Sequence, residues 1–405
     1  MRLAVVSPFL DRQHGTEKCI VEQIERLAFD WQWQVHLYAQ RVEQITDIRT
    51  SIPSSPHFGG SIFWHKVSSV PGPHLVKYVW WLFANHFRRW RDRQSDKLKT
   101  DLIYSPGINC LDADVIVVHI VFREFLSRIS SELQLRHASM KSWHLVVHRK
   151  LYYKLAAFLE TKVYRDPRIR LVAVSSLVGR HLRTHFGRTD VTVIPNAVDT
   201  SRFTPKECLG RRVVMRRFFN YSDEDFVLLL IGNDLRNKGL DHLLQAVTLL
   251  SDLPLRLLVV SGDDPRIYQP WADKLSCQGK VRFASPSADV LAFFATADAY
   301  VGPSLEDAFG LPIVEAMACG LPVIASVHAG ASELIRHGET GLLLSNPRDT
   351  SELAQLIRKI YADGSLRRRL GLAAAQHVQR NCSWDRNVEK TRDLLEGILR
   401  DRQQI

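Results

Sequence analysis

The chain is poor in sulfur and short of acid. Only 4 Met and 6 Cys occur among its 405 residues. Cys19, Cys110, Cys208, Cys277, Cys319 and Cys382 are scattered, with no C-x-x-C pair and no metal-ligand spacing. That excludes a zinc-ribbon or thioredoxin-like reading and fits reduced thiols in a cytosolic protein. Asp plus Glu number 43 against 54 Lys plus Arg, a net charge of +11. Such a deficit of negative charge points to an anionic partner: a small anionic substrate, an anionic membrane surface or nucleic acid. No apolar run approaches the roughly 18–20 residues needed to cross a bilayer, so a spanning helix is not expected. The apolar start, Met1 to Pro8, lacks a small-residue cleavage site and breaks at Pro8 and Asp11, so it reads as a first buried strand and not as a secretion signal. The chain has no G-x-S-x-G, no H-E-x-x-H, no P-loop, no short repeat and no low-complexity segment.

What is present is an ordinary globular composition, 45% apolar and 24% charged, at a length that suits two domains. Short apolar runs alternate with amphipathic stretches, the pattern of parallel βαβ units. Strands are expected at Leu3–Ser7, Gln34–Ala39, Leu102–Ser105, Val115–Val118, Leu171–Val174 and Val191–Ile194. A second series is expected at Val227–Gly232, Leu255–Ser261, Val281–Ala284, Ala299–Pro303, Val323–Ser326 and Gly341–Leu344. The two series join at Pro195-Asn196, which implies an α/β protein of two Rossmann-like domains. Ligands in such sheets sit at the carboxyl ends of the strands, here expected to face each other across a cleft.

The most informative stretch runs from Asp307 to Ser326, DAFGLPIVEAMACGLPVIAS. It sets Asp307 and Glu315, with seven residues between them, across a glycine loop (Phe309-Gly310-Leu311) that opens a helix expected over Leu311–Cys319. Gly320-Leu321-Pro322 ends that helix. A glycine before a helix start lets backbone N–H groups face an anion, and the helix dipole favours negative charge there. Eight positions are about two helical turns, so the two acids reach different parts of a long ligand. Lys238 follows strand Val227–Gly232 through Asn233-Asp234-Leu235-Arg236-Asn237, which puts its ammonium at the carboxyl edge of the sheet. His119 ends Val115–Val118 at a carboxyl edge, and Gly15, in His14-Gly15-Thr16, lies at the first strand-to-helix junction.

With Val193-Ile194-Pro195-Asn196-Ala197-Val198-Asp199, Phe203-Thr204-Pro205, Gly232 with Lys238-Gly239, and Ser383-Trp384, these residues make nearly the whole chain resemble the retaining glycosyltransferases of family 4. Those enzymes carry an acid-x7-acid motif on a GT-B fold. The resemblance implies an N-terminal acceptor domain (1–197), a C-terminal donor domain (198–380) and a closing helix (381–405) that returns to the first domain. It also implies transfer, with retention, from a nucleoside diphosphate sugar such as UDP- or GDP-hexose to a glycan or lipid-linked acceptor in lipopolysaccharide, capsule or exopolysaccharide synthesis. No metal is expected; Asp263-Asp264 only superficially matches a D-x-D motif.

By position the first acid contacts the donor sugar and the second, Glu315, the ribose. The family usually has Glu first, so the first role falls either to Asp307 or to its neighbour Glu306. Where the family has Arg, this chain has Asn233, with Arg236 three residues on as the replacement cation. Catalytic roles are thus expected of His119, Glu306 or Asp307, and Lys238. Donor contacts are expected of Gly15, Asn233, Arg236, Lys238, Phe309, Gly310, Leu311 and Glu315.

The interval Ser51–Gln94 fits this scheme least. A Pro/Ser/His-rich start reads as a surface loop. Leu75–Arg93 then carries Tyr78, Val79, Trp80, Trp81, Leu82, Phe83 and Phe87 before Arg88, Arg89, Arg91 and Arg93. It reads either as a core helix with a solvated basic end or as a helix lying on an anionic bilayer, and the block His148–Arg165 shares the ambiguity. A cytoplasmic protein, peripheral on the inner face of the membrane, follows from the second reading. Two competing functions remain: a sugar-nucleotide epimerase on the same architecture, and nucleic-acid binding, which the dispersed basic residues and missing binding motifs argue against.

Overall fold

The computed structural model describes residues 1–12, 14–50, 60–94, 98–129, 143–275 and 279–404. Cys277 and the 51–59 part of the unplaced interval lie outside them. Two compact units emerge: residues 1–195 with 384–405, and residues 196–383. The closing segment thus begins at Trp384, and the change of unit falls at Pro195/Asn196.

The first unit contains β1 (Arg2–Val6), β2 (Phe9–Leu10), α1 (Gly15–Phe29), β3 (Gln34–Ala39), β4 (Arg41–Val42), β5 (Ile48–Arg49) and β6 (Ser61–Lys66). It continues with α2 (His74–Gln94), β7 (Leu102–Pro106), β8 (Val115–Val118), α3 (Phe122–Ile129), α4 (Trp143–Tyr164), β9 (Arg170–Ala173), α5 (Ser176–Phe186) and β10 (Thr192–Val193). Eight of these strands form one sheet in the order β10-β9-β8-β7-β1-β3-β6-β5, every neighbouring pair parallel. β2 and β4 pair apart from it, so a short strand separates β1 from Gly15.

β6 was not anticipated from the sequence. Its run Ser-Ile-Phe-Trp-His-Lys lacks an uninterrupted apolar pattern, yet it pairs with β3 along its length and is buried at Ser61, Ile62, Phe63 and His65. Parallel sheets covered on both faces accept such residues when neighbours supply hydrogen bonds. Here His36 Nδ1 lies 3.0 Å from His65 Nε2 and His65 Nδ1 lies 3.3 Å from an Asp92 oxygen.

The second unit contains α6 (Pro205–Phe218), β11 (Phe226–Ile231), α7 (Leu240–Leu249), β12 (Leu255–Val260), α8 (Gln269–Lys274), β13 (Val281–Ala284), α9 (Leu291–Thr296), β14 (Ala299–Gly302), α10 (Leu311–Ala318), β15 (Val323–Ser326), β16 (Leu342–Leu344), α11 (Thr350–Ala362) and α12 (Gly364–Asn381). Its six-stranded parallel sheet runs β13-β12-β11-β14-β15-β16. The reversal of strand order lies between β11 and β14, and both strands end at the candidate site. β11 and β12 read as near-continuous apolar runs because helices cover both sheet faces. The expected C-terminal helix, α13 (Trp384–Gln403), belongs to the first unit. Gln23 of α1 donates to Asn387 of α13 at 2.7 Å, and Arg26 meets Asp385 at 2.7 Å.

Candidate active site

In the second unit, the turn after β11 and the segment before α10 are built as one piece. Gly232 has φ +154°, and a Cβ there would come within 2.6 Å of Lys238 Cε, so the lysine stem lies where any other residue would put its side chain. Gly239 takes the left-handed conformation (φ +77°) at the start of α7, with the Pro303 carbonyl packed where its Cβ would be. Two hydrogen bonds of 2.8 Å, from Leu305 N to Asn237 O and from Asn237 Nδ2 to Glu306 O, tie the two segments together. The outcome is a contact between the Lys238 ammonium and the Asp307 carboxylate, both mostly buried.

Asp307 is itself held by backbone. Its N–H donates to His328 O at 3.0 Å, its C=O accepts from Gly330 N at 2.9 Å, and its Oδ1 accepts from Phe309 N at 3.3 Å. Gly310, left-handed at φ +88°, precedes Leu311, and α10 starts without a side-chain cap. Pro312 at the second helical position carries no N–H, so the donors at this start belong to Gly310 and Leu311. A helix start with a lysine beside it attracts a multiply charged anion.

Glu306 is also buried, but its carbonyl is what joins the Asn237 contact, whereas Asp307 presents the carboxylate that meets Lys238. Glu315 sits at mid-helix in α10, buried and not a solvated surface acid. Tyr300 of β14 lies near both acids. Burial, with the Asp307 and Glu315 charges adding to it, pushes its phenol well above the usual range.

Asn233 is exposed and its Oδ1 accepts from Gly262 N at 2.9 Å, so it braces the turn after β12. Arg236 is 57% exposed, its Nε 3.7 Å from an Asp241 oxygen, and it keeps most of its donors at the surface. The D-x-D-like pair is structurally engaged. Asp263 accepts from Asp234 N (3.3 Å) and Leu235 N (2.8 Å), and Asp264 binds Arg266 at 2.7 Å.

The other two expected residues lie in the first unit. Gly15 opens α1 behind His14, whose backbone N–H and Nδ1 both reach Asp11 at about 2.9 Å. His119 follows β8; its Nε2 is buried with no hydrogen-bond partner among the described residues, and burial pushes its pKa down to about 4. The ring is therefore neutral at ordinary pH.

Sequence reasoning missed Glu160. From α4 its carboxylate accepts the N–H groups of Phe122 (2.6 Å) and Arg123 (3.1 Å), capping α3 three residues after His119. Its signal was an acid inside the apolar face of a basic helix, Ala156-Ala157-Phe158-Leu159-Glu160. Burial raises it to about 7 against those hydrogen bonds. Asn237, hidden between the two expected cations Arg236 and Lys238, was missed as well.

With this geometry in hand, the comparisons with known proteins agree on an architecture. The crystal structure of WaaG, described as a glycosyltransferase involved in lipopolysaccharide biosynthesis, superposes with a TM-score of 0.76 at 18% identity, covering 98% of this chain and 100% of that one. A structure of Alr3699/HepE from Anabaena in complex with UDP-glucose gives 0.69 at 17% identity, over 98% and 100%. The fold is accordingly GT-B, two Rossmann-like units. Residues 214–377 match the family model described as Glycosyl transferases group 1, a span inside the second unit that takes in Lys238, Asp307 and Glu315. In sequence, a D-inositol 3-phosphate glycosyltransferase of Geodermatophilus obscurus is 34% identical over 236 residues, 54% of this chain and 50% of that protein. The chain spans about half the length of the first curated relatives it matches.

Proposed function

We propose that the protein is a retaining glycosyltransferase of family 4. It moves a hexose from a nucleoside diphosphate to a glycan or lipid-linked acceptor, presented at the cytoplasmic face of a membrane, in cell-surface polysaccharide synthesis. The observation that carries this reading is the Lys238–Asp307 contact at the start of α10, inside the segment that matches the glycosyltransferase model. A diphosphate entering here competes with Asp307 for the lysine. Once displaced from the ammonium, the Asp307 carboxylate is available to a sugar hydroxyl. Lys238 and the helix start then stabilise the charge that grows on the leaving diphosphate as the glycosidic bond breaks, with little reorganisation. Glu315 takes the ribose. His119, neutral, donates to or accepts from a hydroxyl of the donor sugar or acceptor.

We read turnover as independent of a divalent metal, since Asp263 and Asp264 are committed to backbone amides and to Arg266. Thermal-shift titration with UDP, GDP and their hexose conjugates, with and without EDTA, is the first test. A nucleoside diphosphate that raises the melting temperature in wild type and not in Lys238→Ala supports the site. NMR of the product then reads the anomeric configuration. An epimerised nucleotide sugar released without acceptor, or binding that EDTA abolishes, contradicts the reading.

A further inference from the structure

The helix α2 is built inside out. Its buried side chains are Trp81, Asn85 and Arg89. Their polar atoms are spent inward: Trp81 Nε1 donates to Asn109 O at 2.8 Å, Asn85 Nδ2 to Trp81 O at 2.6 Å, and Arg89 forms a forked pair with Asp112 at 2.6 and 2.8 Å. Outward it shows Val76, the adjacent pair Val79 and Trp80, Phe83, Phe87 and Trp90, at helical spacing on a single stripe. Phe83 is 72%, Phe87 61% and Trp90 50% exposed. A water-facing helix normally shows the reverse distribution, and an apolar stripe this continuous marks an interaction surface.

The flanks of the stripe carry one sign of charge. Lys77, Arg91 and Arg93 are exposed beside it, and Lys66 of β6 lies across a groove from it. The one acid of the helix, Asp92, is occupied by Arg88 at 3.2 Å and by His65. The groove, ≈ 420 Å³, is lined among others by Trp80, Phe83 and Phe87 and by the cations Lys66, Arg88 and Arg91. The adjoining α4, whose Tyr152 ring meets Tyr78 edge-on, repeats the pattern: among its described side chains the exposed ones are Leu151, Lys154, Phe158 and Lys162.

We propose that the outward stripe of α2 is an interfacial docking surface for an anionic phospholipid bilayer. Trp80, Phe83, Phe87 and Trp90 rest at the boundary of acyl chains and headgroups. Lys66, Lys77, Arg91 and Arg93 lie among the phosphates, and the groove accepts a headgroup phosphate beside its first methylenes. Aromatic rings with long cations around them suit that layer, where one end of each side chain stays wet. The one-signed rim is what selects a bilayer over a second copy of the chain, because a two-fold contact through this face would bring like charges together. The inference deepens the membrane-presented acceptor proposed above, and it stands or falls separately from the donor site.

The test is flotation of the full chain with vesicles of phosphatidylcholine alone and of phosphatidylcholine with phosphatidylglycerol. Wild type is expected to float with the anionic vesicles. Phe83→Ser/Phe87→Ser and Arg91→Gln/Arg93→Gln are each expected to weaken that partition by at least about tenfold. Both pairs are exposed, so melting temperature and the shift induced by a nucleoside diphosphate should stay at wild-type values. Equal flotation on uncharged vesicles, or variants that float like wild type, overturns the proposal. So does a concentration-dependent dimer that Phe83→Ser/Phe87→Ser dissolves, which would assign the face to a second copy. Intact docking with no response to any nucleoside diphosphate would instead defeat the transferase reading and leave this one standing.

Discussion

The Lys238 ammonium rests on the Asp307 carboxylate, a contact made possible by the missing side chain of Gly232. In the proposed donor site Lys238 would attract the phosphates and Asp307 would repel them, so the two should separate cleanly on mutation. Lys238→Ala is expected to weaken nucleoside diphosphate binding and to lower turnover by roughly 10²–10³-fold. Asp307→Asn is expected to leave binding unchanged or tighter, since it removes a competing anion, while turnover still falls. Calorimetric titration alongside initial rates distinguishes them; parallel losses of binding in both variants would contradict the assignment.

Gly232→Ala probes the same lysine without touching it. At φ +154° an L side chain is strained, and its Cβ would displace Lys238 Cε. Stability is expected to fall by about 1–3 kcal/mol, with nucleoside diphosphate affinity falling as in Lys238→Ala. If affinity holds, the lysine reaches the diphosphate by another route.

Glu160 sets a pH signature in the first unit. Its folded pKa of about 7 lies above the ordinary 4.5, so between those values the folded state holds the proton that the unfolded chain has lost. Stability is therefore expected to decline as pH rises from about 4.5 to 7, by up to about 3 kcal/mol. Glu160→Gln should remove that contribution, so melting curves of the variant and wild type should diverge across this window. The same cap orders the segment after His119, so wild-type turnover is expected to depend on pH near 7 more steeply than that of the Gln variant.

The histidine pair acts in the opposite direction. Burial pushes His36 down to about 3, with His65 and Arg2 adding to it, and pushes His65 down to about 4 against the opposing charge of Asp92. Both are neutral when folded and protonated when unfolded below about 6.5, so stability should fall as pH drops from that value. Urea unfolding midpoints of the Glu160→Gln variant, which lacks the opposing carboxyl, measured from pH 7 to 5 check this. A flat midpoint would mean that the pair is not buried as described.

Gln23 links three elements of the first unit. It accepts from Tyr104 Oη at 2.7 Å and donates to Asn387, which in turn donates to Pro195 O at 2.6 Å, at the boundary of the unit. Gln23→Leu leaves two buried polar groups without partners and is expected to cost about 2–4 kcal/mol. Chemical denaturation would register this, and Asn387→Ala should be less than additive with it.

By itself the sequence determined the elements whose physics is local. Parallel strands covered on both faces are apolar along their length, which is why Val115–Val118 and Val323–Ser326 were legible to the residue; Gln34–Ala39 and Val281–Ala284 were legible from the apolar residues around His36 and Arg282. Helix starts were legible where glycine stood at a strand-to-helix junction, as at Gly310 and Gly15. Contacts between segments far apart in the chain left no such mark. Only the tertiary structure decided that Asp307 and not Glu306 turns its carboxylate to Lys238, that Glu160 caps the helix after His119, and that β6 joins the sheet despite its histidine and lysine. It likewise decided α2. The periodicity of that helix gives a stripe but not the side on which the protein lies. Hydrogen bonds from Trp81, Asn85 and Arg89 to distant loops fixed its rotation and left the aromatic face outward.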